Sequence, residues 1–208
     1  MKDKLVYPDI FKAAWKGLKS QFWLLVGLII GFTIIYSLLI IFTIPEKGES
    51  IGVSGIVISI LGLLLYGLFT MGYLKNCMQT LDGEEPQFSA YGQVSRKIIG
   101  FLIICIIFSV IVSLGTMLLI IPGIYLFLRL QFCFISMVDE NTGVIESLKR
   151  SWTITKGYSL QIFVLFLITM LIYFIGYIAL FIGIFIAIPL ITLMYVYTYR
   201  KLTAPTAQ

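Results

Sequence analysis

The chain has 208 residues, of which 60% are hydrophobic and only 12% charged, and its mean hydropathy is +1.03. A soluble domain is about 45–50% apolar and about 25% charged, and a soluble fold of this size has too little interior to hide the excess from water. The net charge of +5 sits on segments that flank apolar runs, which points to membrane topology rather than to nucleic acid as a partner.

In chain order, the first uncharged run is Phe22–Ile44, 23 residues long, where a span needs about 20. It is too long for a cleaved signal and no small-residue cleavage site follows it, so it is expected to remain as a span. Turn chemistry at 45–50 ends it, and Ile51–Leu74 forms a second run. After a polar stretch, Ile98–Val138 carries a single charge, Arg129, over 41 residues. One helix of that length would measure about 60 Å, twice the hydrocarbon thickness, so the chain must turn back. Pro122-Gly123 is the expected turn, with Pro122 opening the second helix. Ser159–Tyr199 is a further 41 residues without charge, expected to turn near Gly176–Gly183, with Pro189 kinking the last helix. The spans are thus placed at 22–44, 51–74, 98–120, 122–139, 159–178 and 182–199, within one membrane domain covering 1–208.

The charges support six crossings. Residues 1–21, 75–97, 139–158 and 200–208 then share one side and hold 13 of the 15 lysines and arginines, whereas Lys47 alone is opposite. The positive-inside bias places both termini in the cytoplasm.

A short segment with apolar and basic faces precedes each hairpin. Ile10, Phe11, Ala14, Trp15 and Leu18 oppose Asp9, Lys12, Lys16 and Lys19. Ile145, Leu148, Trp152 and Thr155 oppose Glu146, Lys149, Arg150 and Thr153. The middle segment, with Phe88, Tyr91, Val94 and Ile98, is weaker. These are expected to lie in the membrane interface, with Trp15, Tyr91 and Trp152 as aromatic anchors. Aligning Trp15 with Trp152 superposes Lys12 on Lys149 and Lys19 on Lys156, which suggests three repeats of interfacial helix plus hairpin. The alternative is that basic juxtamembrane segments resemble one another without repeating. The predicted fold is all-α: a polytopic bundle of six transmembrane helices in three hairpins.

Few residues suggest chemistry. Arg129 costs about 2.5–3.5 kcal/mol inside a span. It either binds an anion such as a lipid phosphate, or it snorkels or bonds backbone carbonyls freed at a kink. Gly27 with Gly31, and Ser109 with Ser113, have the small-xxx-small spacing of close helix packing, expected here within the chain rather than at a dimer seam. Span hydroxyls such as Thr33, Ser59, Thr70 and Thr192 are expected to bond their own helix backbone rather than line a path. Asp82, Glu84 and Glu85 read as a solvated loop. Three cysteines with no histidine and no CxxC pair disfavour a zinc site or disulfide framework, and Cys105 and Cys133 read as small buried hydrophobes. No phosphate loop, dinucleotide fingerprint or nucleophile–histidine pair is present, so no cofactor, metal site or catalytic residue is assigned and enzymatic activity is not expected.

Ile121-Pro-Gly-Ile-Tyr125 with Arg129, Val138-Asp139-Glu140, Ser147-Leu-Lys-Arg-Ser-Trp152 with Thr155-Lys156-Gly157, and Pro189 with Tyr199-Arg-Lys-Leu202 form a recognisable set. Over about residues 60–202, and most strongly over 118–158, the chain resembles the membrane domain of bacterial glycerophosphoryl diester phosphodiesterases and of related six-span bacterial proteins without assigned function. The resemblance implies a bacterial plasma-membrane protein. It does not imply phosphodiesterase activity, because in that family the chemistry belongs to a separate soluble barrel domain.

The functional expectation is a non-enzymatic protein that binds or organises membrane lipids or a hydrophobic partner at the cytoplasmic face. A transporter or export accessory for a small amphipathic solute, and a subunit of a membrane complex or homo-oligomer, are the alternatives.

Overall fold

A computed structural model describes residues 5–43, 52–179 and 182–204, and all of its regular structure is helix. The turn at 45–50 and Lys47 lie outside the described residues. In chain order the elements are α1 (Tyr7–Ser20), α2 (Phe22–Ile41), α3 (Val53–Asp82), α4 (Ser89–Ser95), α5 (Ile98–Leu118), α6 (Ile120–Leu130), α7 (Cys133–Asp139), α8 (Val144–Ile154), α9 (Ser159–Ile178) and α10 (Ile182–Thr203). Six are long and apolar enough to cross a membrane when α6 and α7 are taken together as one span. The chain is therefore an all-helical, multi-pass membrane protein. Its outer surface agrees: Ile34 and Leu38 on α2, Ile106 and Leu114 on α5, and Leu171 and Phe174 on α9 are all more than half exposed. Such a surface is stable only where lipid replaces water.

Contacts between chain segments far apart in sequence show that each run doubles back. Arg200 donates to both carboxylate oxygens of Asp82 at 2.6 and 2.7 Å, joining the end of α10 to the end of α3. Tyr199 donates to Glu140 at 2.6 Å, joining α10 to the residue after α7. Lys97 donates to the Met137 carbonyl at 2.8 Å, joining the start of α5 to α7. One end of the bundle thus gathers α1, α4, α8 and the ends of α3, α7 and α10, together with most of the positive charge. At the other end, Gly115 lies against Gly123, and Gly176 against Gly183. Between the two ends, Met71, Ile104, Phe132, Ile162, Leu193 and Met194 form the core.

Several sequence expectations shift. The α5–α6 turn falls at Leu119, which is extended (φ −162°, ψ 145°), and Pro122 sits in the first turn of α6 instead of opening it. The reason is Gly123: its bare Cα lets α6 close on Thr116 of α5, so the chain turns before the proline. Helix α3 runs past Leu74 to Asp82 and stops at Gly83, whose left-handed conformation (φ 80°) completes a capping turn through Glu84 N–H to Gln79 O at 2.9 Å. Helix α10 passes through Pro189 and continues to Thr203. The span placed at 122–139 begins at Ile120 and is interrupted after Leu130.

The small-residue pairs do not seal helix contacts within the chain. A Cβ at Gly27 or Gly31 would meet nothing within 4 Å, and Ser109 and Ser113 are exposed. Gly27 and Gly31 border an open space with Leu65 and Phe69 of α3 across it, and Ser109 and Ser113 lie on the exposed side of α5. The hydroxyls behave as expected: Thr33, Ser59, Thr70 and Thr192 each donate to the carbonyl four residues back. Cys133 is buried and Cys105 half-buried, both as free thiols.

A Cβ at position 123 would lie 2.7 Å from the backbone of Thr116. Gly123→Ala is therefore expected to destabilise the protein by about 1–3 kcal/mol, seen as a lowered melting temperature in detergent. Gly27→Ala, with open space around it, is expected to melt at or above the wild-type temperature. Equal melting of the two variants would contradict the close α5–α6 crossing.

Candidate functional site

The fourth span is broken at Gln131–Phe132, between α6 and α7. A helix end inside the bundle leaves carbonyls without intrahelical partners, and within a membrane they cannot turn to water. Helix α8 supplies what is missing. Ser151 donates to the Arg129 carbonyl at 2.8 Å; the Thr155 hydroxyl lies 3.2 Å from the same oxygen and donates to the Ser151 carbonyl at 2.7 Å. Their spacing of four residues puts both hydroxyls on one face of α8.

The favour is returned in the other direction. The Arg129 guanidinium donates to the Trp152 carbonyl at 2.7 Å, a free carbonyl in the last turn of α8. It also lies 4.2 Å from the centre of the Trp152 ring and 5.8 Å from that of Tyr125, which meet edge to face. A cation at a helix C-terminus and over an indole face is favourable on both counts. Arg129 is only 3% exposed, and its Nε has no hydrogen-bond acceptor among the described residues. The arginine and the Ser-Trp-Thr face thus cap each other's helices.

This arrangement turns α8 differently from the sequence expectation. Its buried face is Ser147, Ser151, Ile154 and Thr155, while Ile145 and Trp152 are exposed. Capping polar backbone outweighs burying two apolar side chains, which a lipid environment tolerates in any case. Helix α1 follows the expectation in part. Ile10, Ala14 and Leu18 are buried against α10 and α3, whereas Phe11 and Trp15 stack on each other at the surface with Lys19 over the Trp15 ring. On α4, Ala90 and Val94 are buried and Tyr91 covers Gly72.

A second polar layer lies nearer the end of the bundle. Glu140 accepts from Tyr199 at 2.6 Å and from Arg150 at 2.9 Å, so three segments meet at one carboxylate. The hydrogen bond to Glu140 raises the Arg150 pKa, and burial, then Lys75, lowers that of Lys97. Burial pushes the Tyr91 phenol up to about 12. Asp139 is exposed at the end of α7, beside Glu140 and within electrostatic reach of Arg200 and Lys75. Lys156 is exposed, and Gly157 takes the left-handed conformation (φ 84°) that ends α8 and starts α9. The sequence signals that reveal these roles are the Ser151–Thr155 spacing and Gln131 inside an apolar run; Glu140 with Tyr199 carries none.

Two cavities frame the first hairpin. One of 640 Å³ is apolar, with Gly27 and Gly31 as its floor and Phe32, Phe69, Phe88 and Tyr91 as walls. The other, of 520 Å³, lies between α1, α3 and α10 at the basic end and includes Lys16, Arg200 and Lys201. Arg129 lines neither. Among the described residues no group of His, Cys, Asp and Glu could hold a metal.

Replacing Arg129 by Lys keeps the charge and loses the planar stacking and the fork of donors. Arg129→Lys is expected to cost about 1.5–3 kcal/mol in detergent melts, and Ser151→Ala about 1 kcal/mol. Thr153→Ala, at an exposed hydroxyl, is expected to leave melting unchanged.

No solved structure matches the chain. An uncharacterised protein of Mycobacterium tuberculosis (strain ATCC 25618 / H37Rv) is 30% identical over 151 residues, as is an uncharacterised protein of Mycobacterium bovis. The matches cover 70% of this chain and 44% of each mycobacterial protein, so this chain spans less than half the length of those relatives. Residues 87–207 match the model of a domain of unknown function, DUF7847, and the chain belongs to that family.

Proposed function

We propose that this is a non-enzymatic protein of the bacterial plasma membrane, with both termini in the cytoplasm, that binds and organises anionic lipid at the cytoplasmic face. The observation that carries the reading is the mixture of outward-facing aromatics and lysines gathered at one end of the bundle. Trp23 is 85% exposed, Phe88 78% and Trp152 41%, and Phe11 and Trp15 form an exposed stack beside Lys19. Lys12, Lys16, Lys149 and Lys156 are exposed at the same end. Indole rings favour the headgroup level, and lysines near the surface attract anionic lipid by about 1 kcal/mol each.

Helices α1, α4 and α8 take the interfacial positions of three related units, each leading into a hairpin. Because α1 is packed on α10 and α3, its exposed side is held in a fixed orientation. The positive-inside bias assigns the basic end to the cytoplasm. The resemblance of 118–158 to the membrane domain of bacterial glycerophosphoryl diester phosphodiesterases suits a role beside phospholipid without importing a reaction.

The test is native mass spectrometry of the full chain released from detergent, with phosphatidylglycerol and phosphatidylcholine added separately. Preferential retention of phosphatidylglycerol is expected, weakening as ionic strength rises. Equal retention of the two lipids would overturn the reading.

A further inference from the structure

The 520 Å³ cavity at the basic end has a composition that its structural role leaves unused. Its walls come from the C-terminal half of α1 (Ala13, Lys16, Gly17, Ser20), the end of α3 (Thr80, Leu81, Gly83) and the end of α10 (Tyr197, Arg200, Lys201, Ala204). Three cations line it, and the Asp82 carboxylate stands behind one of them, bonded to Arg200. Arg200 is held rigidly by the two bonds to Asp82 and by a further bond to the Met78 carbonyl at 3.3 Å. Lys16 and Lys201 have no carboxylate within 4 Å among the described residues, and the Lys201 ammonium lies 5.4 Å from the Tyr197 ring centre. The site therefore carries uncompensated positive charge on two lysines against a fixed ion pair.

Three helices end around this cavity, and cations beside helix C-termini are commonly present to offset the carbonyl dipoles. That alone would require the charges and not the space between them. Here Gly17 is the point where α1 approaches α3, with Leu81 and Thr80 at 3.5 Å from where its Cβ would be. Van der Waals contact at Gly17 beside an open volume leaves a recess with apolar sides (Ala13, Leu81, Tyr197) and cationic edges. Its depth also fits: Arg200 and Lys201 end the last apolar run, and Lys16 lies just before the first, so the recess sits at headgroup level.

We propose that this recess binds a phosphate group carried by a membrane lipid, with Lys16 and Lys201 as its ligands and the Arg200–Asp82 pair as its fixed wall. The assignment rests on the proposed lipid-binding function and gives it a site. A soluble phosphate ester has the same recognising chemistry, and the experiment separates the two sources.

The full chain in neutral detergent is titrated with short-chain phosphatidic acid, phosphatidylglycerol, phosphatidylcholine and inorganic phosphate, with binding read by thermophoresis. The two phosphate-exposing anionic lipids are expected to bind and phosphatidylcholine to bind far more weakly. Lys16→Ala and Lys201→Ala are each expected to weaken anionic lipid about fivefold, and the pair about thirtyfold. The Lys16→Arg, Lys201→Arg double variant is expected to retain affinity. Anionic lipid is expected to raise the melting temperature of the wild type by several degrees and that of the double alanine variant hardly at all. If Arg96→Ala, at an exposed basic residue outside the recess, weakens binding as much as either lysine variant, attraction is spread over the basic face; the site is then wrong and the lipid-binding function stands. Equal affinity for phosphatidylcholine would overturn both. Inorganic phosphate binding as tightly as the lipids would overturn the lipid assignment in favour of a soluble ester. A double alanine variant that melts lower yet binds normally would show that the lysines serve the helix ends alone.

Discussion

The structure depends on the repair of one interruption in a place where water cannot help. A span broken between α6 and α7 leaves carbonyls that a membrane leaves unbonded at a cost of several kcal/mol each. Arg129, Ser151 and Trp152 close that gap in both directions: the Ser151 hydroxyl caps α6, with Thr155 packed beside the same carbonyl, and the Arg129 guanidinium caps α8 at the Trp152 carbonyl. From this follow the rotation of α8, the burial of its serine face and the exposure of Trp152. An arginine in an apolar run invites a search for an anion. Its present surroundings are a carbonyl and two aromatic faces, which hold a guanidinium without any counter-charge.

The end of the bundle is built on the same logic in a wetter setting. Glu140 takes bonds from Tyr199 and Arg150, and Asp82 takes two from Arg200, so α3, α8 and α10 are tied to the segment that follows α7. Pairs as exposed as Glu140 with Arg150, and Asp82 with Arg200, contribute little to stability individually. Their effect is on geometry: they hold the ends of separate hairpins in one layer, which keeps α1 and the recess beside it in a constant shape.

Length made the number of spans legible, because a 41-residue apolar run has no alternative to turning back. Helix α9 was readable to the residue, since Gly157 and the charge-free run beyond it leave no ambiguity. The turn at Leu119 was not readable. Pro122-Gly123 is the stronger local signal, and only the close approach of Gly123 to Thr116 moves the turn ahead of it. The open space beside Gly27 and Gly31 was likewise hidden, because spacing tells that two helices can approach and not whether they do. The role of Arg129 was legible as one of two options, and Ser151 and Thr155 decide between them only once α8 is folded against the break.

Arg129, Ser151, Trp152, Thr155 and Gly157 each have a demand of backbone geometry to meet. Arg129 caps α8, Ser151 caps α6, Thr155 bonds the Ser151 carbonyl, Trp152 stacks on the guanidinium, and the glycine turns the chain with a positive φ that other residues adopt at a cost. Residues that hold a broken span together are committed to the fold. Lys16 and Lys201 stand outside that demand. Their side chains satisfy no buried backbone group, and the space they border is not needed by the packing around it. Ligand recognition is therefore better sought at these unconstrained charges than at Arg129, which is buried, already bonded to the Trp152 carbonyl and lines neither of the cavities beside the first hairpin.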